Sequence, residues 1–292
     1  MIIYIKQSEK IKFMSKILNI LRIEKIENKQ IIYLPINKKS RERKIEKVTE
    51  KLSKYLYDNN IKNIVLENEL MQNENIKNIL YSNNINILDG TKISRFLVCN
   101  VIEKIYEYKN VKIEAGEVTL LVNDNDDVNI ETIIMLAHNI KRLNIITSNI
   151  KKFKKIVEYL YNELGILIKL SNNIKTNLKS SDIIVNIDFP EEIVNKLEIP
   201  TDAIILNIPQ NININLKKFA GINIKSWETE IPSKYKLEGF NEMTMYEASM
   251  YEQQDSKIFK QIQNDDIKIR RLIGINGIIN TKEFGYHSKL LP

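Results

Sequence analysis

Between residues 118 and 208 the chain repeatedly sets a short, nearly unbroken apolar run against a longer amphipathic stretch. The runs are VTLLVN (118–123), LNIIT (143–147), ILIKL (166–170), DIIVNI (182–187) and AIILNI (203–208). A strand apolar at almost every position, rather than at every second one, is covered on both faces, which is the condition of a parallel sheet. Residues 130–141 and 150–164 carry helical periodicity instead, and Gly165 stands where a left-handed residue closes the second helix. Strand and helix in this rhythm predict a doubly wound α/β layer.

The segment before it has an α/β pattern of its own. Residues 2–5 (IIYI) read as a strand, and residues 8–19 as a helix with Ile11, Met14, Ile17 and Leu18 inward. LRIEKIENKQIIYLPI alternates in two runs around Glu27-Asn28-Lys29 and stops at Pro35, the signature of a hairpin. Ser40 is placed to cap a helix whose inner face is Ile45, Val48, Leu52, Tyr55 and Leu56. A buried strand at 61–67, a helix near 72–81 and a strand at 85–89 follow. The Asp89-Gly90 turn then leads into one long helix from Thr91 to about Tyr108, with Ile93, Leu97, Val101 and Ile105 inward. Toward the C-terminus, Pro232 marks an exit from the sheet. Residues 241–263 read as a helix with Met243, Tyr246, Met250, Phe259 and Ile262 on its apolar side. IRRLIGINGIINTKEF is an apolar segment with two glycines, Gly274 and Gly277. The expected organisation is an N-terminal α/β domain over 1–112, a doubly wound domain over 113–235, and a C-terminal helical segment over 236–292 packing back on both.

Composition narrows the class. A chain of 292 residues, 43% apolar and 28% charged, is that of a globular protein with room for two domains. Its net charge of +7 directs attention to Lys38–Lys44 and Lys151–Lys155, the densest basic clusters. Acids are interleaved with bases along most of the chain and no aromatic-interleaved basic strand occurs, so the clusters read as solvated helix faces and nucleic acid is not the expected partner. The single cysteine, Cys99, excludes an intrachain disulfide and a CxxC site, and reads as a small core residue. No stretch of about 18 apolar residues predicts a transmembrane helix. The N-terminal apolar run is too short for a signal-peptide core, so the cytosol is the expected compartment.

The motif that asks most of the chain is LLVNDNDDVN, residues 120–129, where a buried strand turns into a helix through Asp124, Asp126 and Asp127. One reading is structural: Asp127 or Asn129 caps the helix, at least one of the three acids being expected to cap a helix that begins near Ile130, and acids at its start favour the macrodipole. Another is a divalent-cation site built on clustered carboxylates, although an EF-hand's glycine and twelfth-position glutamate are missing. Of the two histidines, His138 flanks the helix core and His287 lies near the C-terminus. Neither forms a Ser-His-Asp or Cys-His pattern, and no catalytic residue is assigned.

The order EVTLLVN, RLNIITSN, SSDIIVNIDFP, TDAIILNIPQ and FAGINI resembles the Rossmann-like nucleotide-binding domain of shikimate dehydrogenase and glutamyl-tRNA reductase. The chain as a whole also resembles a protein of clostridial type. The domain resemblance implies NAD(P) as the cofactor, read by Ser148, Asn149, Lys151 and Lys152 after the second strand, and by Asp188 and Asn207 at strand ends. The same residues have plainer readings: a lysine-rich exposed helix with Phe153, Ile156, Val157 and Leu160 inward, and Asp188 capping a helix that begins with Pro190. The family's G-x-G-x-x-G loop is replaced by Asn123-Asp124-Asn125-Asp126-Asp127-Val128, and the family's catalytic Lys–Asp pair has no counterpart. NAD(P) binding in the family's pose is therefore not expected, and neither is a resident metal ion. The expectation is a degenerate Rossmann-like binding or assembly protein whose partners are a second copy of itself or a small molecule. The alternative is an NAD(P)-dependent oxidoreductase with an atypical phosphate loop.

Overall fold

Parallel pairing dominates both sheets of the protein, as the unbroken apolar runs require. The computed structural model describes residues 2–8, 20–26, 29–173, 178, 181–200, 202–208, 219, 221–252 and 267–287. The expected helix over 8–19, the hairpin turn at 27–28 and the distal half of the helix over 241–263 lie outside the described residues, as does the His287 side chain. The chain forms two compact units, residues 1–93 with 231–266, and residues 94–230 with 267–292.

In the first unit, β1 (Ile2–Gln7), β2 (Arg22–Ile26), β3 (Lys29–Leu34), β4 (Asn63–Leu66) and β5 (Asn86–Leu88) form a sheet in the order β2-β3-β1-β4-β5. β2 and β3 are the antiparallel hairpin read from the sequence, with Ile26 opposite Lys29; the other pairs are parallel. Alternate residues of β1 serve two cores. Ile3 and Ile5 meet Val48, Leu52 and Leu56 of α1 (Glu42–Asp58), and Ile76 and Leu80 of α3 (Glu74–Ser82), which follows the short α2 (Asn68–Met71). Ile2 and Tyr4 meet Phe240, together with Met245 and Ala248 of α9 (Glu242–Glu252). Ser40 does not cap α1: its hydroxyl accepts the Asn37 amide, closing a turn before Arg41, so the helix begins without a side-chain cap.

In the second unit, β6 (Glu117–Leu121), β7 (Arg142–Ile146), β8 (Ile168–Ser171), β9 (Ile183–Asn186), β10 (Ile204–Asn207) and β11 (Ile222–Glu230) are mutually parallel. β12 (Lys268–Gly274) and β13 (Gly277–Ile278) join antiparallel beyond β11, giving the order β13-β12-β11-β10-β9-β6-β7-β8. The apolar C-terminal segment with two glycines is thus a hairpin, with Gly277, the first residue of β13 after the turn, at a φ of 108°. Numbered among themselves, the parallel strands run 3-2-1-4-5-6, the doubly wound dinucleotide-binding arrangement. α5 (Val98–Lys109) and α6 (Asp127–Asn139) cover one face through Val101, Ile105, Ile133 and Leu136. α8 (Glu191–Val194) belongs to the other, where Val194 and Phe189 meet Ile184 and Ile205. α7 (Ile150–Leu164) ends at Gly165 with a φ of 68°, and α10 (Thr281–His287) packs Phe284 edge-on against Tyr108. The helix expected over 91–108 is interrupted: α4 (Thr91–Phe96) and α5 are separate, and the Arg95 carbonyl accepts the Thr132 hydroxyl at 3.2 Å. Among the described residues no helix is long and apolar enough to cross a membrane.

Candidate functional site

The strand order of the second unit reverses between β6 and β9, and in open α/β sheets ligands bind in the crevice that such a reversal opens at the carboxyl ends. Two segments meet there, the loop 122–126 after β6 and residues 187–190 after β9. Asp188 joins them. The Asn123 amide donates to both of its carboxylate oxygens, at 2.8 Å and 3.0 Å, and the Asp124 amide donates to Oδ2 at 2.8 Å. The next amide, of Asn125, donates to Oδ1 of Asp124 at 3.0 Å, and the Asn129 amide donates to Oδ1 of Asp126 at 2.8 Å. Four main-chain donors at the strand-to-helix turn are therefore satisfied by the chain's own carboxylates. Asp188 does not cap α8, which starts from Pro190 with no side-chain cap.

One of the three loop acids caps α6 as expected, and it is Asp126 rather than Asp127 or Asn129. Asp127 is the exposed first residue of the helix, and Asn129 is fully buried, its side-chain amide donating to the Asp124 carbonyl at 2.8 Å. Two cations neutralise the loop: Arg95 Nη1 lies 2.9 Å from Asp126 Oδ2, and Lys152 Nζ lies 3.6 Å from Asp124 Oδ1. Burial pushes the Asp188 carboxyl above its ordinary range, against the lowering pull of the two loop amides and of Arg95. Among the described residues no group of three or more His, Cys, Asp or Glu side chains is placed to hold a metal ion.

The residues singled out in the sequence fall around this turn in different ways. The Ser148 amide and hydroxyl both donate to Oδ1 of Asn123, at 2.8 Å and 2.6 Å, tying the loop after β7 to the loop after β6. Asn149 precedes α7 without a side-chain cap bond, and its amide donates to the Thr147 hydroxyl. Lys151 is exposed, as is Lys152 on its ion pair. Phe153 and Leu160 are the buried face of α7, with Ile156 and Val157 partly buried. Asn207 is 1% exposed and belongs to a carboxamide ladder, accepting from Asn186 at 3.3 Å and donating to Asn223 at 3.0 Å. Sequence reasoning missed Asn186 and Asn223, because asparagine is so frequent in this chain that single ones carry little signal. Arg95 was missed too, since its pairing with Asp126 depends on the break after α4. His138 is exposed in the last turn of α6. Cys99 is buried, and burial pushes its thiol up to about 12.

No protein-family model and no curated protein matches the chain. Among solved structures it is similar to L-tryptophan dehydrogenase from Nostoc punctiforme, with 11% identity and a TM-score of 0.41 over 90% of this chain and 78% of that chain. It is similar to shikimate 5-dehydrogenase from Listeria monocytogenes, with 10% identity and a TM-score of 0.34 over 90% and 96% of the two chains. Δ(1)-pyrroline-2-carboxylate reductase from Thermococcus litoralis matches at 16% identity and a TM-score of 0.29, over 43% of this chain and 39% of that one. The likeness is a distant one of fold, to two-domain dehydrogenases.

Proposed function

We propose that the protein acts by binding or assembly on a Rossmann-like frame and does not hold a dinucleotide in that frame's usual pose. What supports the reading is the Asp188 carboxylate on the amides of Asn123 and Asp124. A pyrophosphate in that pose takes its hydrogen bonds from the first loop and the helix start behind it. Here it would have to displace Asp188 and then sit beside Asp124 and Asp126. Asp124 and Asp126 are each paired with a cation, so the obstacle to the phosphate is chiefly the loss of the Asp188 hydrogen bonds to the loop amides, in a loop without the glycines that let a pyrophosphate approach. An oxidoreductase that reads its nucleotide through Ser148 and Lys152 would first have to free them from Asn123 and Asp124. Titration calorimetry of the full chain with NAD, NADP, FAD and S-adenosylmethionine tests the proposal. No heat of binding is expected, and micromolar affinity for any of the four overturns it.

A further inference from the structure

The first unit has a reversal of strand order of its own. β3 lies on one side of β1 and β4 on the other, so the chain turns back across β1 and leaves a crevice at the carboxyl ends of these three strands. That crevice measures about 660 Å³, inside the range of about 300–1,000 Å³ typical of small-molecule sites. Gln7 lines it after β1, Asn37, Lys38 and Lys39 after β3, and Glu67, Asn68 and Glu69 after β4. None of these residues takes part in the turn around Asp188, and the inference drawn from them is independent of the proposal above.

The crevice carries both signs of charge at fixed places. Glu67 is 7% exposed and held by the Gln7 amide at 2.9 Å, with Lys6 Nζ 3.8 Å from its other oxygen. Beside it Gly239 has a φ of 88°, and a Cβ there would stand 2.8 Å from Glu67 Oε1. Only a residue without a side chain lets the backbone pass this close to the carboxylate. Lys38 pairs with Glu69 at 2.7 Å in an exposed ion pair of the kind that contributes little to stability, and the Gln7 side-chain amide donates to the other Glu69 oxygen. Lys39 and Asn68 have side-chain donors with no hydrogen bond or ion pair among the described residues. A ligand bearing only negative charge would meet Glu67 and Glu69, and one bearing only positive charge would meet Lys6, Lys38 and Lys39. A ligand with both charges meets neither penalty.

We propose that the first unit binds a small polar zwitterion of the free α-amino acid class in this crevice, with the carboxylate on Lys39 and Asn68 and the ammonium toward Glu67 and Glu69. The test is calorimetric titration of the full chain with glycine, alanine, glutamine, glutamate, methionine and lysine, alongside propionate and propylamine as single-charge controls. At least one amino acid is expected to bind at millimolar or better affinity, with neither control binding measurably. Lys39→Glu, an exposed substitution checked for fold by circular dichroism, is expected to weaken that binding at least tenfold, as is Glu67→Gln. The proposal is overturned if no amino acid binds, if propionate or propylamine binds as well as the amino acid, or if Lys39→Glu leaves the affinity unchanged.

Discussion

Burial pushes the Glu247 carboxyl up to about 7, and the nearby Asp89 carboxylate adds to the shift; the Lys92 and Ile93 amides and the Lys92 ammonium pull the other way. Its Oε2 accepts the Lys92 amide at 3.2 Å. The native chain thus keeps a proton that the unfolded chain releases near 4.5. Where the native state binds more protons, stability falls as pH rises, so this contribution is complete below about 4.5 and lost through about 7. At about 1.4 kcal/mol per pH unit the loss is on the order of 3 kcal/mol. Urea unfolding between pH 4.5 and 8 is expected to show this decline, and Glu247→Gln to flatten it; an unchanged slope in the variant would assign the decline to other groups. At Asp188, replacement by Ala leaves the Asn123 and Asp124 amides without their acceptor. A half-buried loss of that kind costs about 1–3 kcal/mol, readable as a lower urea midpoint with an unchanged m-value. Neither residue's role was legible beforehand. Asp188 meets its partners 64 and 65 residues away, a pairing that no local pattern encodes.

Elements were more legible than their ends. Strands β6, β7, β9 and β10 follow from their apolar runs, because burial on both faces leaves no other composition open to them. The break between α4 and α5 left no mark, as neither glycine nor proline stands there. The Arg95 carbonyl at the end of α4 lies 3.2 Å from the Thr132 hydroxyl, which also reaches the Val128 carbonyl of its own helix at 2.8 Å. The start of α6 was placed near Ile130, and the structure begins it at Asp127 with Asp126 as cap. Asp126→Ala removes that cap and leaves Arg95 without its carboxylate, so a loss of about 1–2 kcal/mol is expected. Asp127→Ala, at an exposed position, is expected to stay within about 0.5 kcal/mol. Thermal unfolding of both variants with and without magnesium checks the pair. A rise in melting temperature with magnesium that Asp126→Ala abolishes would point to a bound cation rather than a cap.

At the scale of the whole molecule, each compact unit takes its last elements from the final fifth or so of the sequence. In the first unit, α9 and Phe240 cover the face of the sheet that carries Ile2, Tyr4, Val65 and Leu88. In the second, β12 extends the sheet beyond β11 and buries Leu272. Periodicity reports which residues are buried and not what buries them, so these returns of the chain are not visible in composition. A fragment of residues 1–112 lacks α9 and is expected to bind a hydrophobic dye and to lose near-ultraviolet circular dichroism while keeping far-ultraviolet signal. A fragment with native near-ultraviolet ellipticity would show that α9 is dispensable.

The late position of α9 also matters during synthesis. β5 ends at Leu88, and α9 begins at Glu242. Translation at about 5–20 residues per second puts roughly 8–30 s between them. For that interval one face of the nascent first sheet has its strands but not its lid, and the apolar side chains of Ile2, Tyr4 and Val65 face whatever surrounds the ribosome. The yield of the chain is therefore expected to fall on depletion of nascent-chain holdases more than that of a chain whose layers close in the order they are made; an unchanged yield would show that this face is covered before α9 emerges.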